Sequence, residues 1–306
     1  MKRLFFILQL SLFIAFNFFL LLSVYQFVGN RSSMQRLTYD APVYDQREEF
    51  DPALSHLNSL QSLLNYCDSV SLSKSPQSGP GSERNFTEQA AAVVRKRFYH
   101  GYSLYGFSNN YMAMMMAQML GNGLSAIVVP DDILKYPYAA CSQQSIVMMQ
   151  LLEKKGIKTR KVGFSGNATG HFCFEAYYDN DWHYYDPDKE PNAALLASYN
   201  RPSIDWLNQH KDVLVAAYPQ YSKDYVLDVF TKYSYGPVSA FPAPRALIFQ
   251  QGAKFLSYTI WVFFLAAFIL ARKKYKKLAA AATRSKKISR RPSLQTAPIP
   301  MGLTAA

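Results

Sequence analysis

"GHFCFEAYYDNDWHYYDP", Gly170 to Pro187, is the stretch on which the reading of this chain turns. Aromatic residues crowd both halves, as on pleated, half-buried strands. Asp179-Asn180 between them is a tight-turn pair, so the stretch is predicted to form a β-hairpin. In a hairpin turning there, the residue opposite i is 359 − i, and Cys173 faces Asp186. His171 then lies one diagonal step from Asp186 on the same face, within reach of long side chains. A four-residue loop one step back would set the two directly opposite. Alternation puts Trp182, Tyr184 and Asp186 on one face and His183 on the other.

Upstream, "YPYAACSQQS" sets Cys141 where a helix begins. Cys141 to Lys155 reads as that helix, closed by Gly156 with Lys154 and Lys155 in its last turn, where cations suit the dipole. Cys141, Ser145, Met148 and Leu152 share one face, and Ile146, Val147, Met149 and Leu151 make the rest apolar. The helix is expected to be central and buried. "KTRKVGF" follows as a strand, so the order is helix, strand, hairpin.

A nucleophilic cysteine works as the thiolate, and a helix N-terminus favours the anion through its free N–H groups and dipole. Ala139 and Ala140 leave room for a carbonyl to approach. The backbone N–H of Cys141 could serve as one oxyanion donor, with Gln118 or Gln144 as candidates for a second. The base should be an imidazole held by a carboxylate, which His171 and Asp186 supply. Blander roles stand beside these: Cys141 and His171 as core residues, and Asp186 as a turn former before Pro187. Cys173 is expected to pack beneath the site. A metal centre from Cys141, Cys173 and His171 lacks paired ligand spacing, so no metal is expected.

With Cys141 opening a helix, His171 opening one strand and Asp186-Pro187 closing the next, the chain resembles the transglutaminase-like, cysteine protease-like superfamily. The resemblance spans Thr87 to Pro191 and is sharpest from Tyr138 to Pro187. It implies an α+β fold with a papain-like core, in which the Cys-bearing helix packs on an antiparallel sheet. It also implies a triad: Cys141 as nucleophile, His171 as base and acid, Asp186 as the residue orienting it. The family's Gly-x-Cys start is Ala139-Ala140-Cys141 here, and its frequent Trp or Tyr after the cysteine is Gln143 or Gln144. The implied activity is on amide or peptide bonds of envelope proteins or peptides, as peptidase, amidase or acyl transferase, without a cofactor. The alternative is a catalytically silent binding or scaffold module of the envelope. A cell-wall hydrolase of another papain-like type ranks lower, because its cysteine and histidine usually lie further apart than they do here.

The net charge of +12 over 306 residues invites a nucleic-acid reading, which its distribution removes. Residues 31–253 carry 20 Lys and Arg against all 21 Asp and Glu. The other 13 basic residues are Lys2, Arg3 and eleven between Lys254 and Arg291. They attend two apolar runs, Leu4–Val28 and Phe255–Ala271. That is the positive-inside pattern of a two-pass membrane protein with both termini cytoplasmic and the middle extracytoplasmic, periplasmic or at the cell surface. The first run lacks a small-x-small cleavage site and reads as an uncleaved anchor. Three cysteines, Cys67, Cys141 and Cys173, leave at least one thiol free.

The chain therefore divides into a cytoplasmic start (1–3), an anchor (4–28), a connector (29–86), the enzyme-like core (87–191), an extension (192–252), a second span (253–271) and a basic, disordered tail (272–306). Leucine spacing predicts one helix over Pro52–Tyr66 and a loop over Ser71–Arg84. Thr87 is expected to cap the next helix, followed by a helix over Met112–Leu120 and a strand at Ser125–Val129. Ser203 is expected to cap a helix holding Ile204, Leu207 and Leu214, and "YSYGPVSAFPAPR" to be irregular.

Overall fold

The computed structural model describes residues 2–29, 42–45, 48–74, 81–120, 124–167, 170–189 and 191–289. Helix α1 (Lys2–Gly29) is apolar along almost its whole length. A 3-10 turn at Pro52–His56, capped by the Asp51 carboxylate, precedes α2 (Leu60–Lys74). The single helix expected over Pro52–Tyr66 is thus broken. The Leu57 carbonyl turns aside to accept from Arg97 Nε at 3.2 Å, and Asp131 accepts the Leu60 N–H at 2.7 Å. Helix α3 (Ser82–Arg97) starts ahead of Thr87, whose hydroxyl donates to the Glu83 carbonyl inside the helix instead of capping it. The loop expected over Ser71–Arg84 is helical at both ends, and its middle, 75–80, lies outside the described residues.

Helix α4 (Phe107–Leu120) breaks at Asn110, whose side chain accepts the Ala113 N–H and so caps the second half. The strand expected at Ser125–Val129 shrinks to one bridge, Leu104 with Ala126. Side chains take its backbone instead: Gln143 donates to the Ile127 carbonyl, and Gln250 accepts from the Val128 N–H. A short α5 (Pro130–Ile133) leads to the segment read first from sequence.

There the expectation holds. Helix α6 (Cys141–Lys154) is followed by β1 (Lys158–Ser165), β2 (Gly170–Tyr178) and β3 (Asp181–Tyr185). Asp179 and Asn180 both take positive φ, 49° and 63°, as a two-residue hairpin turn requires. Phe174 pairs with Tyr185 and Tyr178 with Asp181, the predicted register. Beyond it come α7 (Ala193–Ser198), α8 (Ile204–Gln209), α9 (Lys211–Ala217) and α10 (Lys223–Phe230). Ser203 caps α8 as expected, but Leu214 belongs to α9, because the helix breaks at His210. The segment read as irregular begins with a strand, β4 (Tyr233–Tyr235), and α11 (Pro244–Ser289) follows. Where a disordered tail was expected from residue 272, α11 continues to Ser289. Its Ala, Leu, Lys and Arg residues are strong helix formers. Residues 290–306 lie outside the described residues.

The fold is α+β, with an antiparallel sheet in the order β3-β2-β1-β4. Strand alternation gives it two apolar faces. On one, Phe174, Ala176, Tyr178 and Tyr185 join the core that holds Val147, Met148 and Leu151 of α6. On the other, Val162, Phe164, Cys173 and Tyr184 meet Leu207, Leu214, Val226 and Phe230 of α8 to α10. Contacts divide the chain into Val24–Ser257 and a second unit, Met1–Ser23 with Tyr258–Ala306. Within the second unit the two helices run antiparallel: Phe19 stacks on Phe264 at 5.0 Å and Phe13 meets Phe268 at 5.5 Å. Arg3–Gly29 and Pro244–Thr283 are both long and apolar enough to cross a membrane.

Candidate active site

Cys141 is the first residue of α6 and is half-buried. What fixes that helix start is Gln143, fully buried and bonded at both ends of its amide. Its oxygen accepts the backbone N–H of Ala140 at 3.2 Å and of Ser103 at 2.9 Å. Its nitrogen donates to the carbonyls of Ser103 at 2.9 Å and Ile127 at 2.8 Å. Ser145, one turn on, donates to the Phe172 carbonyl and pins α6 to β2. Ala139 and Ala140 are wholly buried, so the small side chains before Cys141 serve close packing as well as any approach to the sulfur.

His171 and Asp186 meet as the hairpin register requires. His171 Nε2 donates to Asp186 Oδ2 at 2.8 Å, with both side chains almost fully buried. The imidazole is set in an aromatic box, stacked 6.1 Å from Phe164 and edge-on to Phe230 at 5.4 Å. Asp186 takes four donors. Besides His171, Tyr218 Oη donates to Oδ2 at 3.0 Å, and the N–H groups of Asp188 and Lys189 reach Oδ1 at 3.2 and 3.0 Å. Burial opposes the Asp186 charge, but His171, the Lys189 N–H and Tyr218 outweigh it and hold its pKa below the usual carboxylate value. Burial likewise opposes charge on His171, and the Asp186 carboxylate overcomes this and raises its pKa well above that of an ordinary imidazole, with the hydrogen bond to Cys141 adding to the effect. The pair is built to hold a proton on the ring.

Cys173 is sealed beneath, its sulfur 3.2 Å from the Tyr184 hydroxyl, which lies 2.9 Å from that of Tyr218. Burial pushes its thiol pKa far up, so it stays neutral. His183, on the opposite face, donates from Nδ1 to the Arg201 carbonyl at 2.7 Å and takes no part.

Two participants escaped the sequence reading. Asp188 offers a carboxylate oxygen lying, with Cys141 Sγ and a His171 ring nitrogen, in a group whose members are all within 4.8 Å of one another. It accepts from His100 Nδ1 at 2.7 Å and from Gln144 Nε2 at 3.1 Å. That hydrogen bond raises the His100 pKa, making a second His–Asp pair at the mouth of the site. The available signal was the second aspartate of Asp186-Pro187-Asp188, which reads as a turn until the turn is seen folding back over Cys141. His100 carries no local sign at all.

Gln144, a candidate second oxyanion donor, spends its N–H groups on the Ala139 carbonyl and Asp188, and its buried Oε1 is left without a partner. Gln118 is exposed on α4, and among the described residues no hydrogen bond ties it to the site. Neither fills the role expected of it.

Among the described residues, two donor sets could reach a metal ion: Cys141, His171 and Asp188; and His171, Cys173 and Asp186. The second is spent, because Asp186 is saturated by four donors and the Cys173 thiol is held neutral. His100, Asp188, Lys189 and Tyr221, with Glu48, line a polar cavity of about 410 Å³ beside the first. No family model, characterised protein or solved structure matches the chain, so the roles of these side chains rest on their own chemistry.

Proposed function

We propose that this chain is a membrane-anchored, transglutaminase-like thiol enzyme acting on amide or peptide bonds outside the cytoplasm. The observation that carries the reading is the buried 2.8 Å bond between His171 and Asp186, set beside a cysteine at a helix start. With Nε2 committed to Asp186, Nδ1 is the nitrogen left for the sulfur, and transfer of the thiol proton gives a thiolate–imidazolium pair.

The sulfur attacks the carbonyl carbon, forming the C–S bond while the carbonyl electrons move onto oxygen. The backbone N–H of Cys141 faces that oxyanion. Collapse breaks the C–N bond, and the ring proton of His171 goes to the leaving amine. Water or a second amine then gives its proton to Nδ1 as it attacks the thioester, and the thiolate is regenerated. The chemistry balances without a redox partner. Protein or peptide substrates of the envelope enter along the polar cavity beside Asp188.

One feature favours the rival reading of a catalytically silent binding module: the N–H groups of Gln144 are already bonded, leaving one evident oxyanion donor. Labelling of the full-length protein in membranes with an alkylating thiol probe separates the two. An enzyme loses the label in Cys141→Ala and retains about a tenth or less of its rate in His171→Ala. Equal labelling rates in wild type and His171→Ala would establish an inert thiol and overturn the enzyme reading.

A further inference from the structure

A separate cavity of about 280 Å³ opens between α3 and α7, against the end of β3. Its chemistry is unlike that of the thiol site. The floor is of small residues, Ala91 and Ala92 on α3 with Ala193, Ala194 and Ala197 on α7. Above it stand two guanidinium groups, Arg95 and Arg201, with the carboxylate of Glu88, and the turn at Asp186-Pro187 closes one side.

Arg201 is the informative residue. It is only 7% exposed, yet its Nε has no hydrogen-bond partner. Glu88 Oε1 lies 3.8 Å away, beyond hydrogen-bonding range, and is already taken by Arg84 Nε at 3.2 Å. The guanidinium is nonetheless held in place, packed over the Tyr185 ring at 4.4 Å. Its backbone is pinned by the Arg201 N–H to the Leu196 carbonyl at 2.6 Å and by His183 Nδ1 to the Arg201 carbonyl at 2.7 Å. Its charge is balanced by one long ion pair to Glu88, and because the guanidinium lines the cavity, an incoming anion gives this buried cation a closer partner. Arg95 adds a second cation, while Arg84 is turned to Glu88 and Asn200. Arginine's planar fork matches a carboxylate, and the alanine floor leaves room for a body the size of one or two methyl-bearing residues.

We propose that this cavity binds the C-terminal carboxylate of a peptide ending in small apolar residues, with Arg201 and Arg95 on the carboxylate and the alanines against the side chains. The site borders the thiol site at Asp186, whose carboxylate is turned to His171, and it uses none of Cys141, His171 or Asp188, so Cys141→Ala is expected to bind the peptide as wild type does.

The test uses the full chain in detergent micelles and titration calorimetry with N-acetyl-Ala-Ala, its C-terminal amide, and propionate. The dipeptide acid is expected to bind about tenfold or more tightly than the amide, reflecting the charge-assisted bonds. Ala194→Phe, an exposed position on the floor, and Arg95→Ala should each weaken binding by a similar factor while leaving the thermal midpoint near that of wild type. Arg201→Met, read alongside its own midpoint, should abolish the preference for acid over amide. Equal binding of acid and amide, no binding of either, or indifference to both Ala194→Phe and Arg95→Ala overturns the proposal. Propionate binding as tightly as the dipeptide overturns the assignment to a peptide terminus.

Discussion

Asp186 shows at the scale of one residue how burial and chemistry are linked. Four donors converge on a carboxylate with no solvent access, so its charge is a property of the fold. The lowered pKa of Asp186 means its contribution to stability is present above its unfolded value, about 3.9, and is lost as pH falls through the folded value. The raised pKa of His171 works in the opposite sense: its contribution is complete below about pH 6.5 and is lost as pH rises through the folded value. The thermal midpoint should therefore be highest between roughly pH 4 and 6.5 and fall on both sides. Asp186→Asn should flatten both arms, measured by melting the protein from pH 3 to 10. A wild-type midpoint still rising above pH 8 would contradict the raised histidine. In the same variant, thiol labelling at Cys141 should slow by about 10²-fold or more, since the amide neither orients nor charges the ring as the carboxylate does.

Elements decide where those residues stand. The start of α6 is set by Gln143, whose amide satisfies four backbone groups from three segments. Gln143→Leu preserves size but leaves those groups buried and unpaired. A loss of about 3 kcal/mol or more is expected in denaturant unfolding, at 1–3 kcal/mol for each group. A loss under about 1 kcal/mol would show that the helix start is fixed by something else. In the hairpin, Asn180 carries φ of 63°, which asparagine tolerates and a β-branched residue does not. Asn180→Val should destabilise by about 1–2 kcal/mol and Asn180→Gly should leave stability within about 1 kcal/mol of wild type. Both are checked by the same unfolding curves. If valine and glycine behave alike, the turn conformation is not what holds His171 against Asp186.

For the whole molecule, the distribution of charge makes a prediction that the coordinates do not supply, namely which way the chain lies in a membrane. Lys2 and Arg3 precede one apolar helix, and five basic residues from Arg272 to Lys277 follow the apolar part of the other. Cytoplasmic ends and an extracytoplasmic middle follow from the positive-inside rule. Single cysteines placed at Asn85 and Lys276 of a Cys141→Ala protein should report it, since Cys67 and Cys173 are buried. A membrane-impermeant maleimide added from outside is expected to label position 85 and spare position 276. The reverse pattern would move the proposed chemistry into the cytoplasm.

The sequence by itself determined the β-hairpin, its register and the start of the cysteine helix. Strand alternation, a two-residue turn and helical periodicity are local rules, and they sufficed to place His171 beside Asp186. They also marked both apolar helices. Where those rules failed, distant groups had captured the backbone: Arg97 at the Leu57 carbonyl, and Gln143 and Gln250 along Ile127-Val128. Asp188 and His100, 88 positions apart, could be joined only by the tertiary fold. So could the setting of Arg201, whose guanidinium packs on Tyr185 and lies 3.8 Å from Glu88 while its Nε makes no hydrogen bond. Local patterns specify what one segment does with its neighbours in sequence. The polar groups that finish a site are recruited across loops whose paths depend on the packing of both sheet faces, and that packing is a property of the whole chain.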